Sequence, residues 1–475
     1  MTAVPAPTTT LPVDEINLAS FDFWLRDDIH GALARLRRER PVAWHEHPDS
    51  GRGFWSLTRY ADITAATRDW ETFSSASGIQ VMTEAEDVER FQIRSMISTD
   101  PPKHTRLRSL VNRGFTPRAV AKAEESVRRR ARQIVDTIAP KGEIEFVSEV
   151  SSVLPVAIIC DMMGVPEPDR PRMLDLTNRL LGGGDAEYGG NKESLQRAAA
   201  ELREYGLWLA KSRLAEPKDD ITTTLVHAEI EGEALPPEDL GPFILLLIAA
   251  GNETTRTAIS HGLLALTEFP DQKRTWLEDL DGRAATAAEE IVRWATPVRH
   301  MRRTLTRDAE FAGVRMRKGD KMAMWYVSAN RDEAHFTDPH RFDITREPNE
   351  QGGFGTGGAH YCLGSHLARR ELIVMLTELV RSAPARHRGE WQAGEVALEL
   401  HPRHQAHAGQ VHTGSMIVTR TLLLGRSVSS CMESSSEARI LSRSELTDQP
   451  LACRTECWRR SGWPRVQASL APAGA

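Results

Sequence analysis

Apolar residues recur with a helical period through most of the chain. The stretch IHGALARLRRER, residues 29–40, stops at Pro41, and RAVAKAEESVRRRARQIVDTI, residues 118–138, is a long amphipathic pattern closed by Pro140 and Gly142. Strand patterns are few and short: VAWHE (42–46), GFWSLT (53–58) and AEFAGVRM (309–316) followed by DKMAMWYVSA (320–329). The pattern predicts a mainly α fold with a small β region.

The segment from Pro236 to Pro270 reads as one helix of more than the usual 8 to 20 residues. Its middle, FILLLIAAG (243–251), is apolar all round, which places it through the centre of a domain. At that centre the run breaks into AAGNETT, with Glu253, Thr254 and Thr255, and apolar periodicity resumes at once in AISHGLLALTEF. A polar turn at the surface would not be followed by renewed apolar spacing. Buried without partners, such groups cost roughly 1 to 3 kcal/mol, so they point to a purpose. A glycine beside a threonine that can bond back to the preceding turn also predicts a local loosening of the helix.

Length alone suggests two or three domains, but no flexible linker divides residues 15–385, which read as one domain after a polar, disordered lead-in of residues 1–14. The net charge of −6 with intermixed signs carries no nucleic-acid footprint. No secretory signal opens the chain, and its longest apolar run is too short to span a bilayer, so a cytoplasmic protein without membrane insertion is expected. Thiols stay reduced there. A cysteine in an unusual setting is then more plausibly a ligand or nucleophile than half of a disulfide.

Cys362 has such a setting, GGFGTGGAHYCLGSHLARRE (352–371). Gly355, Gly357, Gly358 and Gly364 free the backbone and let a flat object approach. A strong helix pattern follows, so the thiol sits at or before a helix N-terminus, where a thiolate is favoured. One cysteine without metal-spaced partners argues against structural zinc and against an iron–sulfur cluster. A catalytic nucleophile and the single protein ligand of a heme iron both survive.

Further motifs stand in order along the chain: Glu290 and Arg293 in EEIVRW, an ANRDE segment followed by DPHRFD with Arg341, the AGNETT of the long helix, and the glycine-rich loop ending in HYCLG. In that order and at those spacings, residues 15–385 resemble the soluble bacterial cytochrome P-450 superfamily, the heme-thiolate monooxygenases. The resemblance implies heme b, iron protoporphyrin IX, with Cys362 as the axial thiolate. It implies that His104 and Arg108 of DPPKHTRLR, Arg303 and His360 hold the propionates, and that Glu253 and Thr254 deliver protons to the dioxygen being reduced. Glu290, Arg293 and Arg341 would form a structural network behind the heme. Phe354 stands eight residues before Cys362, one more than in the commonest pattern, which resembles the branch that oxidises sterols, branched fatty acids and terpenoids.

The implied activity is hydroxylation of a hydrophobic small molecule with electrons from NAD(P)H through a ferredoxin reductase and ferredoxin. A polyketide-tailoring hydroxylase, and from another class a non-enzymatic heme or gas sensor, remain alternatives. Met82, Phe91, Ile93, Met96, Val298 and Met301 are expected to line an apolar pocket. Lys103, Arg106, Arg113, Arg369 and Arg370 are candidates for a basic ferredoxin face, or plain solvated charges.

Beyond residue 385 the character changes. Residues 426–475 hold ten serines, and three of the five cysteines lie after residue 386. The hairpin with which the family usually ends is expected to be missing. The genetic code allows HPRHQAHA (401–408) to be read one nucleotide later as Ile-His-Gly-Ile-Lys-His-Met, which resembles the usual family ending. A frame shift between about residues 380 and 390 explains this better than a natural disordered tail, and it would alter one pocket wall. Resequencing the gene tests it: a confirmed frame unable to encode that heptapeptide one nucleotide on rules it out.

Overall fold

In the computed structural model the described residues are 7–420 apart from 47–52, 82–94, 142, 182–190, 231–232, 236, 383–395, 401–405, 408–409 and 412–415. The described residues belong to one compact unit.

Helices dominate. The central helix, Pro237–Glu268, packs against helices Lys192–Ala215, Val153–Met163, Leu280–Ala295 and Ser365–Ser382. Its apolar residues, among them Phe243, Ile244, Ile248 and Ile259, are buried on several sides, as the all-round pattern requires. The expected loosening takes a milder form. Thr254 Oγ1 donates to the Ala250 carbonyl at 2.9 Å, yet the helix runs unbroken through residues 251–255. The amphipathic helix Pro117–Ile138 starts behind a Thr116 cap with Pro at its first position, and packs along Ser365–Ser382.

A five-stranded sheet lies to one side, in the order 42–46, 53–57, 321–325, 300–305, 73–74. Val42–Glu46 pairs antiparallel with Gly53–Leu57, and Lys321–Trp325 antiparallel with His300–Leu305. Separate apolar clusters cover the sheet, one around Trp24, Leu33 and Trp325, the other around Leu57, Phe73 and Met324. The sequence pattern missed His300–Leu305, whose HMRRTL buries charged side chains and so shows no apolar alternation. It also carried the strand pattern of residues 320–329 too far, since Tyr326–Ala329 is a helical turn.

Two expectations about the ends need correction. The lead-in is anchored from Thr8 onward: Thr9 donates to Asp28 at 2.6 Å, Arg35 donates to the Leu11 carbonyl at 2.9 Å, and a Cβ at Gly31 would lie 2.5 Å from the Thr8 carbonyl oxygen. Near the other end, Val396–Leu400 pairs antiparallel with Met416–Arg420, which in turn pairs with Glu143–Glu145, so a hairpin is present. Of the proposed frame junction at about 380–390, residues 383–390 lie outside the described residues, as do most of residues 401–408.

Candidate heme-thiolate site

The Cys362 loop is built by backbone conformations that side chains disfavour. Gly355, Gly357 and Gly358 take φ of 90°, 105° and 75°. Gly358 also presses against the preceding layer, since a Cβ there would stand 2.7 Å from the Thr67 carbonyl oxygen. The Cys362 N–H closes the loop on the Phe354 carbonyl at 2.9 Å, and the helix begins at Ser365. Arg369 clamps the outside, its guanidinium 4.3 Å from the Phe354 ring centroid and paired with Glu289. Arg370 contacts Glu124 at 3.3 Å. These two arginines, candidates for a partner face, are thus partly spent inside the molecule; Lys103 and Arg106 are exposed, and the Arg113 side chain is outside the description.

Cys362 is half-buried and faces a cavity rather than bulk water. Burial pushes its thiol pKa up, and only in part do the Gly364 N–H, Arg108 and Arg369 pull it back. The expected preference for thiolate at the helix start is therefore outweighed by desolvation. A thiolate persists here when a cation such as ferric iron bonds it, since metal coordination deprotonates a thiol outright.

The cavity encloses about 1420 Å³ of space between atoms, part of it open to solvent. Its walls come from the Cys loop, from Ala250, Gly251, Thr254 and Ala258 of the central helix, and from Met96, Val298 and Met301, as expected for those three. Met82, Phe91 and Ile93 lie outside the described residues.

At one edge the cations gather. The His104 and His360 rings stand 4.1 Å apart, Arg108 Nη1 donates to the Ala359 carbonyl at 3.3 Å, and the buried Arg303 lines the adjoining recess with His360. Burial drives the His104 pKa down to about 4 and that of His360 to about 3, with Arg108 and Arg303 adding repulsion. Asp100 is the nearby acid, committed to Ser74 Oγ and the Ser75 N–H. His104 Nδ1 is buried with no partner among the described residues. Two arginines and two neutral imidazoles around one edge, with a donor position unfilled, suit a dianionic group such as the heme propionates.

The acid and alcohol of the central helix part company. Thr254 faces the cavity; Glu253 is buried and paired with Arg256 one turn on, whose Nη1 donates to Asn178 at 2.8 Å. The sequence reading missed Arg256, although a Glu and an Arg at i, i+3 in a buried helix signal a pair.

Behind the loop, Arg293 holds Glu290 with two bonds of 2.8 Å and donates to the main-chain carbonyls of Asn330, Pro339 and Arg341. Here the expectation shifts. Arg341 enters this network through its carbonyl, while the second guanidinium on Glu290 is that of Arg346, at 3.1 Å.

The chain is similar to known proteins along most of its length. The family described as Cytochrome P450 matches residues 284–382. The Methyl-branched lipid omega-hydroxylase of Mycobacterium tuberculosis is 46% identical over 388 residues, 80% of this chain and 90% of that protein. The Steroid C26-monooxygenase of Mycolicibacterium smegmatis is 38% identical over 361 residues, 74% of this chain and 83% of that protein. Among solved structures, a Mycobacterium marinum cytochrome P450 in complex with pseudoionone superposes with a TM-score of 0.78 at 38% identity, covering 87% of this chain and all of that one.

Proposed function

The chain belongs to the cytochrome P450 family and is a heme b monooxygenase, and on that premise we propose that it hydroxylates the terminal carbon of a methyl-branched lipid. The observation that carries the reading is the cavity itself. Cys362, Thr254 and an apolar wall of Met96, Leu246, Leu247, Val298 and Met301 share one chamber, and the similar ω-hydroxylase acts on a methyl-branched lipid. Bound heme supplies the dioxygen binding and one-electron chemistry that no side chain provides.

Cys362 would ligate the iron, and His104, Arg108, Arg303 and His360 would hold the propionates. The apolar side chains exclude water from the reacting C–H bond and leave the substrate few polar contacts, so shape orients it. Thr254 Oγ1 can receive a proton on a lone pair and pass its own on, and Glu253, the adjacent residue in the chain, is the acid that would replenish it. Electrons would come from NAD(P)H through a ferredoxin reductase and a ferredoxin, with Lys103 and Arg106 on the candidate docking face. No helix among the described residues is long and apolar enough to cross a membrane, and the cytoplasm is the proposed location.

Turnover of a methyl-branched fatty acid, its straight-chain counterpart and a steroid, with a ferredoxin system and mass analysis of products, tests the reading. A terminal alcohol formed preferentially from the branched acid supports it. Preferential oxidation of the steroid moves the substrate class, and oxidation of none of them overturns it.

A further inference from the structure

Val298 and Met301 line the cavity, but Arg299 between them does not. Its guanidinium lies 5.0 Å from the Trp24 ring centroid, among the apolar side chains that cover the sheet. Arg299 is buried, at 9% exposure, and neither its Nε nor its Nη1 has a partner among the described residues. Arg331 is buried too. Its Nη2 donates to the Trp294 carbonyl at 3.0 Å, while its Nη1 has no partner among the described residues. His30, on the helix Ile29–Glu39, adds a further buried atom without a partner there, Nδ1.

These groups share one neighbourhood. Burial, and then repulsion from Arg331, His340, Arg299 and Arg37, keeps His30 neutral. Burial and the cations Arg293, Arg37 and Arg299 lower the Arg331 pKa to about 9, with Glu290 opposing them. The acids nearby are committed elsewhere: Glu333 binds Arg37 at 2.9 Å and stands 3.7 Å from His340, and Glu290 binds Arg293 and Arg346. No described acid offsets Arg299, whose pKa burial alone lowers, to about 10. Both guanidiniums therefore stay charged at neutral pH, and a buried cation with open N–H groups is strongly unfavourable until an anion meets it. A packing role does not call for the charge, since Met would fill the space beneath Trp24 without it.

We propose that Arg299, Arg331 and His30 form an anion site apart from the reaction chamber, and that its occupant is a single chloride ion. Two guanidiniums and a neutral imidazole N–H bring donors from three separate segments of the chain and no acceptor. Enclosure selects a small ion: Arg299 and Arg331 are buried, and neither lines the cavity through which an organic acid would enter. The bound ion ties the helix Ile29–Glu39 to the back of the wall formed by Val298 and Met301. The site does not depend on the substrate reading above.

The test melts the heme-loaded full chain at neutral pH and constant ionic strength, with chloride replacing gluconate stepwise. The melting temperature of the parent should climb by a few degrees over a roughly hundredfold range of chloride, because an ion that binds only the folded chain stabilises it by mass action. Crystals grown in bromide should show anomalous density between Arg299 and Arg331. In Arg299→Met the density and the chloride dependence should both vanish, and without chloride the variant should melt no lower than the parent, since it lacks the stranded cation. Absence of bromide density in the parent overturns the proposal, whether or not the variant folds, and so does a parent melting temperature indifferent to chloride. Density accompanied by the same chloride dependence in Arg299→Met means an adventitious ion only, and overturns it as well.

Discussion

The imidazole rings of His104 and His360 face one another at 4.1 Å with 44° between their planes, crowded by the Arg108 and Arg303 guanidiniums and opposed on the His104 side by Asp100. Such a cluster makes physical sense around an anion. Arg303→Ala removes a charged donor worth about 1.5 to 3 kcal/mol, so affinity for heme should fall about ten- to hundred-fold. Heme transfer to a competing apoglobin measures it, and unchanged retention would remove Arg303 from the propionate site.

Glu290 and Arg293 are both fully buried, and Glu290 also accepts from Arg346, Asn349 and the Asp343 N–H. Removing one partner strands a buried charge, which costs about 3 to 5 kcal/mol. Glu290→Ala is therefore expected to lower the unfolding temperature sharply and to cut the yield of heme-loaded protein. A calorimetric scan within a degree or two of the parent would show that the network is dispensable.

Stability should decline as pH falls below about 6.5. His45 accepts from the Leu18 N–H through Nδ1, lies 2.9 Å from Ser56 Oγ through Nε2, and burial drives its pKa from 6.5 to about 4. Between those values the unfolded chain binds a proton that the folded chain refuses. The loss reaches about 2 kcal/mol by pH 5 and stops growing below the folded value. His45→Gln should flatten the dependence of melting temperature on pH by about one proton's worth; an unaltered slope would mean that His45 is not the excluded site.

Thr254 separates an enzyme from a binder. With the Oγ1 that now donates to Ala250 deleted in Thr254→Ala, a monooxygenase should keep consuming reductant while peroxide replaces product. A sensor would bind its gas as before. Equal coupling in the variant and the parent would contradict a proton-handling role for this hydroxyl.

Much of the site was legible because its residues break local patterns. Cys362 sits in a glycine loop, Thr254 interrupts an apolar helix, and Glu290 and Arg293 fall one turn apart. What stayed hidden depends on long-range contact. Arg346 reaches Glu290 from 56 residues away, and Arg256 reads as an ordinary helical charge until Asn178 is seen against it. The strand His300–Leu305 was illegible for a related reason: buried Arg302 and Arg303 erase the apolar alternation by which strands are recognised.

The monooxygenase activity turns on Cys362 as the iron ligand, and the absorption spectrum of the dithionite-reduced protein under carbon monoxide tests that most directly. The strongly red-shifted Soret band of a thiolate-ligated heme is predicted for the parent, with the band lost or moved in Cys362→Ser. A Soret band at the position given by a neutral ligand in the parent, or a red-shifted band that survives in Cys362→Ser, would contradict the assignment.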